Sequence, residues 1–453
     1  MLLDIVILAA GKGTRMKSAL PKVLHKVGGK SLVSHVIDTA KNLGSDNINL
    51  VIGHGADRIK EQLNDASLHY VLQQQQLGTG HAVQQALPNL REDSVCLILY
   101  GDVPLTSGQT LAELVALVSD DSMALLTVTL EDPDGYGRII RNAQGNVSAI
   151  VEQKDANKDQ LAVNEVNTGI MAVQAQHLQK WLPLLSSDNA QQEYYLTDII
   201  AMAAADHIDI NISQPVDELE VLGVNNRIQQ AELERYFQTE QALNLMEQGV
   251  ALADPDRFDL RGELITGSDV SIDINCVLEG RVEIQDNVSI GPNCVIVNST
   301  IGSNTVIKAN SVIEESIISG DSDIGPFARL RPGTELGLGA KIGNFVETKK
   351  AKIGKGSKVS HLSYIGDAEL GENVNVGAGT ITCNYDGVNK FNTTIGDDAF
   401  IGSNSALVAP IKIGQGATIG AGSTVAKDVG ANGLAVARAK QRNIANWQKP
   451  TKK

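Results

Sequence analysis

From Ile272 to Val425 an aliphatic residue returns about every six positions, and no other pattern in the chain restricts its fold so narrowly. The series opens Ile272, Leu278, Ile284, Ile290, Ile296 and runs through Ile342, Ile353 and Val359 to Val376. It resumes at Ile395, Ile401, Leu407, Ile413, Ile419 and Val425. Gly often follows the aliphatic residue, as in Ile290-Gly291 and Ile401-Gly402. A period of six matches neither the 3.6-residue turn of an amphipathic helix nor the two-residue alternation of a strand. It predicts short strands joined by tight turns and stacked as the coils of a parallel β-helix. The ladder breaks once, after Ile381, where thirteen residues, Thr382 to Thr394, precede Ile395.

At 453 residues the chain has room for two or three domains, each with its own core. Asp4–Ala10, Ile48–Ile52, Val95–Tyr100 and Ala124–Leu130 read as strands, with Ser31–Leu43, Gly80–Leu87 and Thr110–Ser119 as helices between them. That order predicts a Rossmann-like α/β domain over residues 1–225, with a mostly parallel sheet and ligands at the carboxyl ends of its strands. Residues 226–249, rich in Gln, Glu, Leu and Ala and closed by Gly249, predict a linker helix. The β-helix and a tail that is basic near its end then occupy 250–453.

A net charge of −15 argues against a nucleic-acid-binding surface, while leaving local Lys and Arg clusters free to hold small anions. Cys96, Cys276, Cys294 and Cys383 show neither metal-ligand spacing nor a disulfide framework, so reduced thiols in a cytoplasm are expected. No early stretch has the layout of a secretion signal, and no apolar run reaches the ~18 residues of a spanning helix.

The first predicted strand runs into Gly11-Lys-Gly-Thr-Arg-Met16, with Pro21-Lys22 close behind. Gly11 and Gly13 let backbone N–H groups approach phosphate oxygens, and Lys12, Arg15 and Lys22 offset their charge. The spacing is not that of a P-loop, and Met16 stands where the dinucleotide fingerprint has its third Gly. Asp102, just past the apolar run Val95–Tyr100, is placed either to hold Mg²⁺ against a triphosphate or simply to form a turn. Gln73, Gly78-Thr79, Gly137, Glu152, Asn167 and Asn225 are polar or small positions that, singly, read as loop or cap residues.

In the β-helix, residues about eighteen apart lie side by side in neighbouring coils, at a strand spacing of about 4.8 Å. Arg331 and Lys349 differ by that interval, which puts them on one face and predicts an anion site. His361 is close in sequence to this cluster, and a lone His there reads either as a packed or solvated structural residue or as part of that site.

Leu8-Ala-Ala-Gly-Lys-Gly-Thr-Arg-Met16 with Pro21-Lys22 resembles the signature of sugar-nucleotide pyrophosphorylases, and the ladder resembles the left-handed β-helix acyltransferases. Their order in one chain, with His361-Leu-Ser-Tyr364 and Gly377-Ala-Gly-Thr-Ile-Thr-Cys-Asn-Tyr-Asp-Gly387, narrows the match. Over essentially its whole length the chain resembles the bacterial bifunctional N-acetylglucosamine-1-phosphate uridyltransferase/glucosamine-1-phosphate N-acetyltransferases. Handedness of the coil comes from this resemblance, since parallel crossovers are usually right-handed.

The resemblance implies acetyl transfer from acetyl-CoA to glucosamine 1-phosphate, then uridylyl transfer from UTP with release of pyrophosphate. The product, UDP-N-acetylglucosamine, feeds peptidoglycan and lipopolysaccharide synthesis. It implies that Leu8, Ala9, Ala10, Gly11 and Lys22 surround the nucleotide phosphates and base. Gln73, Gly78 and Thr79 would contact the uracil and ribose side, and Gly137, Glu152 and Asn167 the sugar. Tyr100, Gly101 and Asp102 also border the nucleotide, Asp102 and Asn225 hold Mg²⁺, and Arg15 stabilises the transferred phosphoryl group. His361 would be the general base of acetyl transfer. Arg331, Lys349, Tyr364, Asn375 and Lys390 would bind the sugar phosphate, and Ala378, Asn384, Tyr385, Ser403, Ala421 and Arg438 acetyl-CoA. The interruption Thr382–Thr394 becomes an extruded loop reaching a neighbouring subunit of a homotrimer.

Overall fold

The computed structural model describes residues 2–452. The chain separates between Phe237 and Gln238 into two compact units. The helix Arg227–Glu247 spans that point, giving Leu233 to a core of the first unit and Ala242 and Leu245 to that of the second.

In the first unit the strand Leu2–Ala9 lies at the centre of a sheet, parallel to Asn47–Ile52 on one side and Ser94–Tyr100 on the other. Leu68–Leu72 extends the parallel part beyond Asn47–Ile52. Beyond Ser94–Tyr100 the long strand Glu165–Gln174 runs antiparallel, followed by Ser122–Thr129 and then Asp209–Ser213. Central strands are covered on both faces, which is why Ile5, Val6 and Ile7 are all buried and the sequence reads as an unbroken apolar run. The helix Leu32–Asn42 covers one face with Val33, Val36, Ile37 and Ala40, and Ser31 Oγ accepts from Ser34 N at its start. A hairpin, Arg138–Arg141 with Val147–Val151, pairs with the antiparallel strand at Val166. This topology brings the carboxyl ends of Leu2–Ala9 and Ser94–Tyr100 together, so the segments that follow them share one rim.

The second unit is a parallel β-helix. Ser271–Ile272, Ser289–Ile290, Val306–Ile307, Asp323–Ile324 and Lys341–Asn344 stack in register, and Lys358–His361, Asn375–Val376, Phe400–Ile401 and Thr418–Ile419 continue the stack. Each inward aliphatic residue of one coil therefore sits on that of the coil before. The ladder forms three such columns, and its members, from Ile272 to Val425, are buried in one continuous core. Corners are turned by residues in the left-handed conformation, often Asn, as at Asn275, Asn293 and Asn310 with φ of 59°, 59° and 61°. A short side chain that bonds locally tolerates that region better than most.

Two positions of the six-residue ladder, Thr348 and Thr382, are buried but not aliphatic. Thr348 stacks between Leu330 and Ile365, where its hydroxyl meets Thr334 Oγ1 at 3.0 Å. Thr382 stacks on Leu407, and its hydroxyl accepts from Gly366 N at 2.8 Å and donates to Gly366 O at 3.0 Å. The residue that looks aliphatic in sequence, Ile381, is 47% exposed. The ladder thus continues through Thr382, and the expected extrusion of Thr382–Thr394 is too long at both ends. Ile381–Cys383 and Thr393–Ile395 are strands of the coil, which leaves only residues 384–392 outside it.

Burial divides these positions sharply. Replacing fully buried Ile342 by Ala should cost ~2–5 kcal/mol in the unfolding of the β-helix followed by circular dichroism, whereas Ile381→Ala should stay within about 0.5 kcal/mol. Equal costs would contradict the assignment of the inward column.

Candidate functional sites

In the first unit the segments after the central strands enclose a cavity of about 520 Å³. It is lined by Leu8, Ala9, Ala10, Gly11, Lys12 and Lys22, by Gln73, Gly78 and Thr79, and by Tyr100 and Asp102. Gln76, Ala82, Val23 and Glu193 complete the wall. The turn that follows Gly11 is tight: Gly13 has φ 58°, and a Cβ there would lie 2.6 Å from that of Lys22. A side chain at this position would therefore push away a lysine that lines the cavity. Gly11, by contrast, has open space around its missing Cβ.

Lys22 Nζ bonds to the Asp102 carboxylate and reaches Asn225 Oδ1 at 3.1 Å. Arg15 Nη2 donates to the same Asn225 oxygen at 2.8 Å. Asp102 and Asn225 thus turn two hard oxygens toward one point where a cation already sits. Such a donor set fits Mg²⁺, which binds through one or two protein oxygens and completes its shell with water and phosphate. Among the described residues no group of three or more His, Cys, Asp and Glu forms a metal cage.

A second cluster adjoins the first through Tyr100. Burial pushes the Tyr100 phenol above its ordinary range, and the Glu152 and Asp102 carboxylates push it further. Glu152 is itself raised, chiefly by burial, although Thr197 Oγ1 donates to it at 2.9 Å. Gly137 and Asn167 are tied by a bond from Asn167 N to Gly137 O of 2.9 Å, and Asn167 Oδ1 accepts from Gly169 N. Gly101 N donates to Leu8 O at 2.9 Å, which locks the segment carrying Asp102 against the first strand.

Gln76 and Glu193 carried no signal in the sequence. Glu193 arrives because Tyr194 N donates to Leu77 O and Gly80 N to Tyr194 O, both at 2.8 Å. Contacts between segments more than a hundred residues apart leave no local periodicity to read.

In the β-helix the stacking sorts the candidates into columns. His361 pairs with Asn344 of the coil before it. Gly379 N donates to His361 O, Asn404 N to Ala378 O and Gly422 N to Ser403 O. One line along a corner of the prism therefore carries Asn344, His361, Ala378, Ser403 and Ala421, and Arg438 Nη1 donates to Ala421 O at 2.7 Å. Around that corner, Leu330 pairs with Thr348 and Lys349 with Gly366, so Arg331, Lys349 and Gly366 form a second line. Gly366 has no side chain there because the Tyr364 hydroxyl fills the place its Cβ would take.

Arg331 is engaged by Glu347 at 2.7 Å. Asn375 lies on the face before the corner, paired with Lys358 and Phe400. The extruded segment is a small hairpin in which Tyr385 pairs with Lys390, Asp386 Oδ1 accepts from Val388 N and Asn389 N, and Asn384 Nδ2 donates to Asp367. The hairpin returns Lys390 to Lys349, whose pKa is lowered by its contact with the Lys390 ammonium and by the charge of Arg331 beyond it. Three cations converge on one small surface, an arrangement suited to a phosphate.

Three family models match the chain. One, described as a MobA-like NTP transferase domain, covers residues 5–181. A second, described as a GMPPB C-terminal domain, covers 260–346, and a third, described as bacterial transferase hexapeptide (six repeats), covers 392–427. The chain is 64% identical over 452 residues to the Bifunctional protein GlmU of Cellvibrio japonicus, with 100% of each chain covered. It is 63% identical over 452 residues to that of Saccharophagus degradans, again with 100% of each covered. Against that of Marinobacter nauticus it is 61% identical over 450 residues, 99% of each.

The Lys349–Lys390 contact has a pH signature. A lysine attracts an anion only while protonated, so the lowered pKa of Lys349 brings the loss of its charge to a lower pH than for an ordinary lysine, 10.5. Lys390→Met removes the largest cause, and the Lys349 titration followed by NMR of labelled lysines should move to higher pH. An unmoved midpoint would show that the two ammonium groups do not interact.

Proposed function

The chain belongs to the family of bifunctional GlmU proteins, and from that premise we propose how its two sites share the chemistry. The protein transfers acetyl from acetyl-CoA to glucosamine 1-phosphate and uridylyl from UTP to N-acetylglucosamine 1-phosphate. The product is UDP-N-acetylglucosamine, a precursor of peptidoglycan and lipopolysaccharide. We assign uridylyl transfer to the cavity at the end of the first sheet and acetyl transfer to the corner of the β-helix that bears His361. The observation that carries this division is the single line His361, Ala378, Ser403, Ala421, with Arg438 tied to its far end. It offers a base at one end and an extended track at which a long thiol ester can lie.

In the first site a phosphate oxygen of the sugar attacks the α-phosphorus of UTP, and the bond to pyrophosphate breaks. Positioning and charge neutralisation do most of the work in such displacements. Backbone amides at Gly11, with Lys22 and Arg15, face the phosphates. Gln73, Gly78 and Thr79 line the part of the cavity assigned to the base and ribose. Tyr100 and Gly101 border the nucleotide, and Gly137, Glu152 and Asn167 take the sugar, where burial raises the pKa of the Glu152 carboxyl. Asp102 and Asn225 would hold Mg²⁺, which supplies further neutralisation of phosphate charge.

In the second site Arg331, Lys349 and Lys390 neutralise the sugar phosphate, with Tyr364 and Asn375 on its flanks. His361 takes a proton from the 2-amino group as that nitrogen attacks the thioester carbonyl. Asn384 and Tyr385, on the hairpin, border acetyl-CoA together with Ala378, Ser403, Ala421 and Arg438. A homotrimer is supported by an apolar ridge on the same corner: Phe327, Phe345 and Leu362 are 48%, 55% and 62% exposed. The two Phe rings stack with centroids 5.1 Å apart. A ridge of this kind beside a site is suited to a neighbouring copy. The free thiols of Cys96, Cys276, Cys294 and Cys383 support a cytoplasmic location.

Separate assays of the two half-reactions test the division. His361→Ala should lower acetyl transfer by at least about 10²-fold and leave uridylyl transfer near normal, and Asp102→Ala should do the reverse. Loss of both activities from either substitution, in folded protein, would sink it.

A further inference from the structure

We propose that Asn344 is a positioning residue for acetyl transfer: its amide oxygen fixes the imidazole of His361 in the tautomer that leaves Nε2 bare as the base. The proposal rests on the reading of His361 as that base. Asn344 Oδ1 lies 2.5 Å from His361 Nδ1. A carbonyl oxygen only accepts, so Nδ1 carries the hydrogen and Nε2 keeps its lone pair. The two residues are paired in adjacent coils, and Leu362 N donates to Asn344 O at 3.1 Å, so the main chains that carry both side chains are fixed to each other. Asn344 is half-buried while His361 is exposed, and the partner is therefore the less mobile of the two.

The choice of amide over carboxylate has a consequence for proton transfer. During the reaction the C–N bond forms as the C–S bond breaks, the amine proton moves to Nε2, and the thiolate of CoA leaves and is protonated in turn. The imidazole must accept that proton and release it again. A carboxylate on Nδ1–H would stabilise the imidazolium and keep it protonated at neutral pH, whereas a neutral amide orients the ring without adding charge. The neighbours agree with this. The coil before presents Asn344 and the coil after presents Ala378, neither of them ionisable. The nearest charged positions on the same strands are Lys341 and Lys358, three residues ahead of Asn344 and His361, and across the corner stand Glu347 and Tyr364.

The test uses the full-length protein and compares Asn344→Ala with Asn344→Asp. Asn344→Ala should lower kcat for acetyl transfer by about 10- to 100-fold with KM for both substrates within about twofold, and leave uridylyl transfer unchanged. Asn344→Asp restores the acceptor. It should recover most of kcat at alkaline pH and move the acidic limb of the pH profile upward by about one unit. Two results would overturn the proposal: an Asn344→Ala enzyme with unaltered kcat and pH profile, or a slow one that Asp neither rescues nor shifts, which marks a merely structural role. Failure of the underlying reading is a different outcome, since His361→Ala would then retain acetyl transfer.

Discussion

Everything in the second half of the chain depends on backbone hydrogen bonds that run along the β-helix axis. Each coil donates N–H groups to carbonyls of the next, as from Lys341 to Ser357 and Lys358 to Val374. This fixes residues seventeen or eighteen apart as immediate neighbours, or twenty-five apart across the hairpin, as for Asn375 and Phe400. The aliphatic ladder makes the arrangement favourable, at roughly 25 cal/mol per Å² of apolar surface buried. The hydrogen bonds decide which outward side chains meet. A site can then be assembled from residues separated by whole coils, with no loop or helix needed to bring them together.

That regularity explains why the β-helix was so legible in the sequence. A single period predicted the coil, its inward face and the adjacency of Arg331 and Lys349. The same arithmetic applied one step further leads from His361 back to Asn344, yet Asn344 drew no notice because an Asn at a coil corner is also a common turn former. Its role depends on where its amide oxygen points, which no spacing reveals. The ladder misled at Ile381, where hydrophobicity selected the exposed residue and the hydroxyl of Thr382 took the inward place.

The first unit was legible in outline. Long apolar runs marked the strands, and the Gly-rich turn marked the rim that holds Lys22. Composition could not show that Glu165–Gln174 enters the sheet antiparallel, nor that the segment around Glu193 folds against Gly78. Both follow from contacts between distant parts of the chain. The cluster around Glu152 and Tyr100 is legible only through burial, because the same residues on a surface would keep ordinary titration behaviour.

A stack of similar coils has an ambiguity that ordinary domains lack: a slip of one residue would turn the ladder outward, but sliding one coil by a whole six-residue step still leaves an aliphatic residue facing aliphatic residues. Thr382 removes that freedom. Its hydroxyl satisfies both N and O of Gly366, and only one alignment of the two coils allows this. A threonine that costs some apolar burial therefore works as an index pin. It stands in the last strand before the excursion of residues 384–392, so the alignment of the coil is fixed before the chain leaves the stack and has to rejoin it at Thr393.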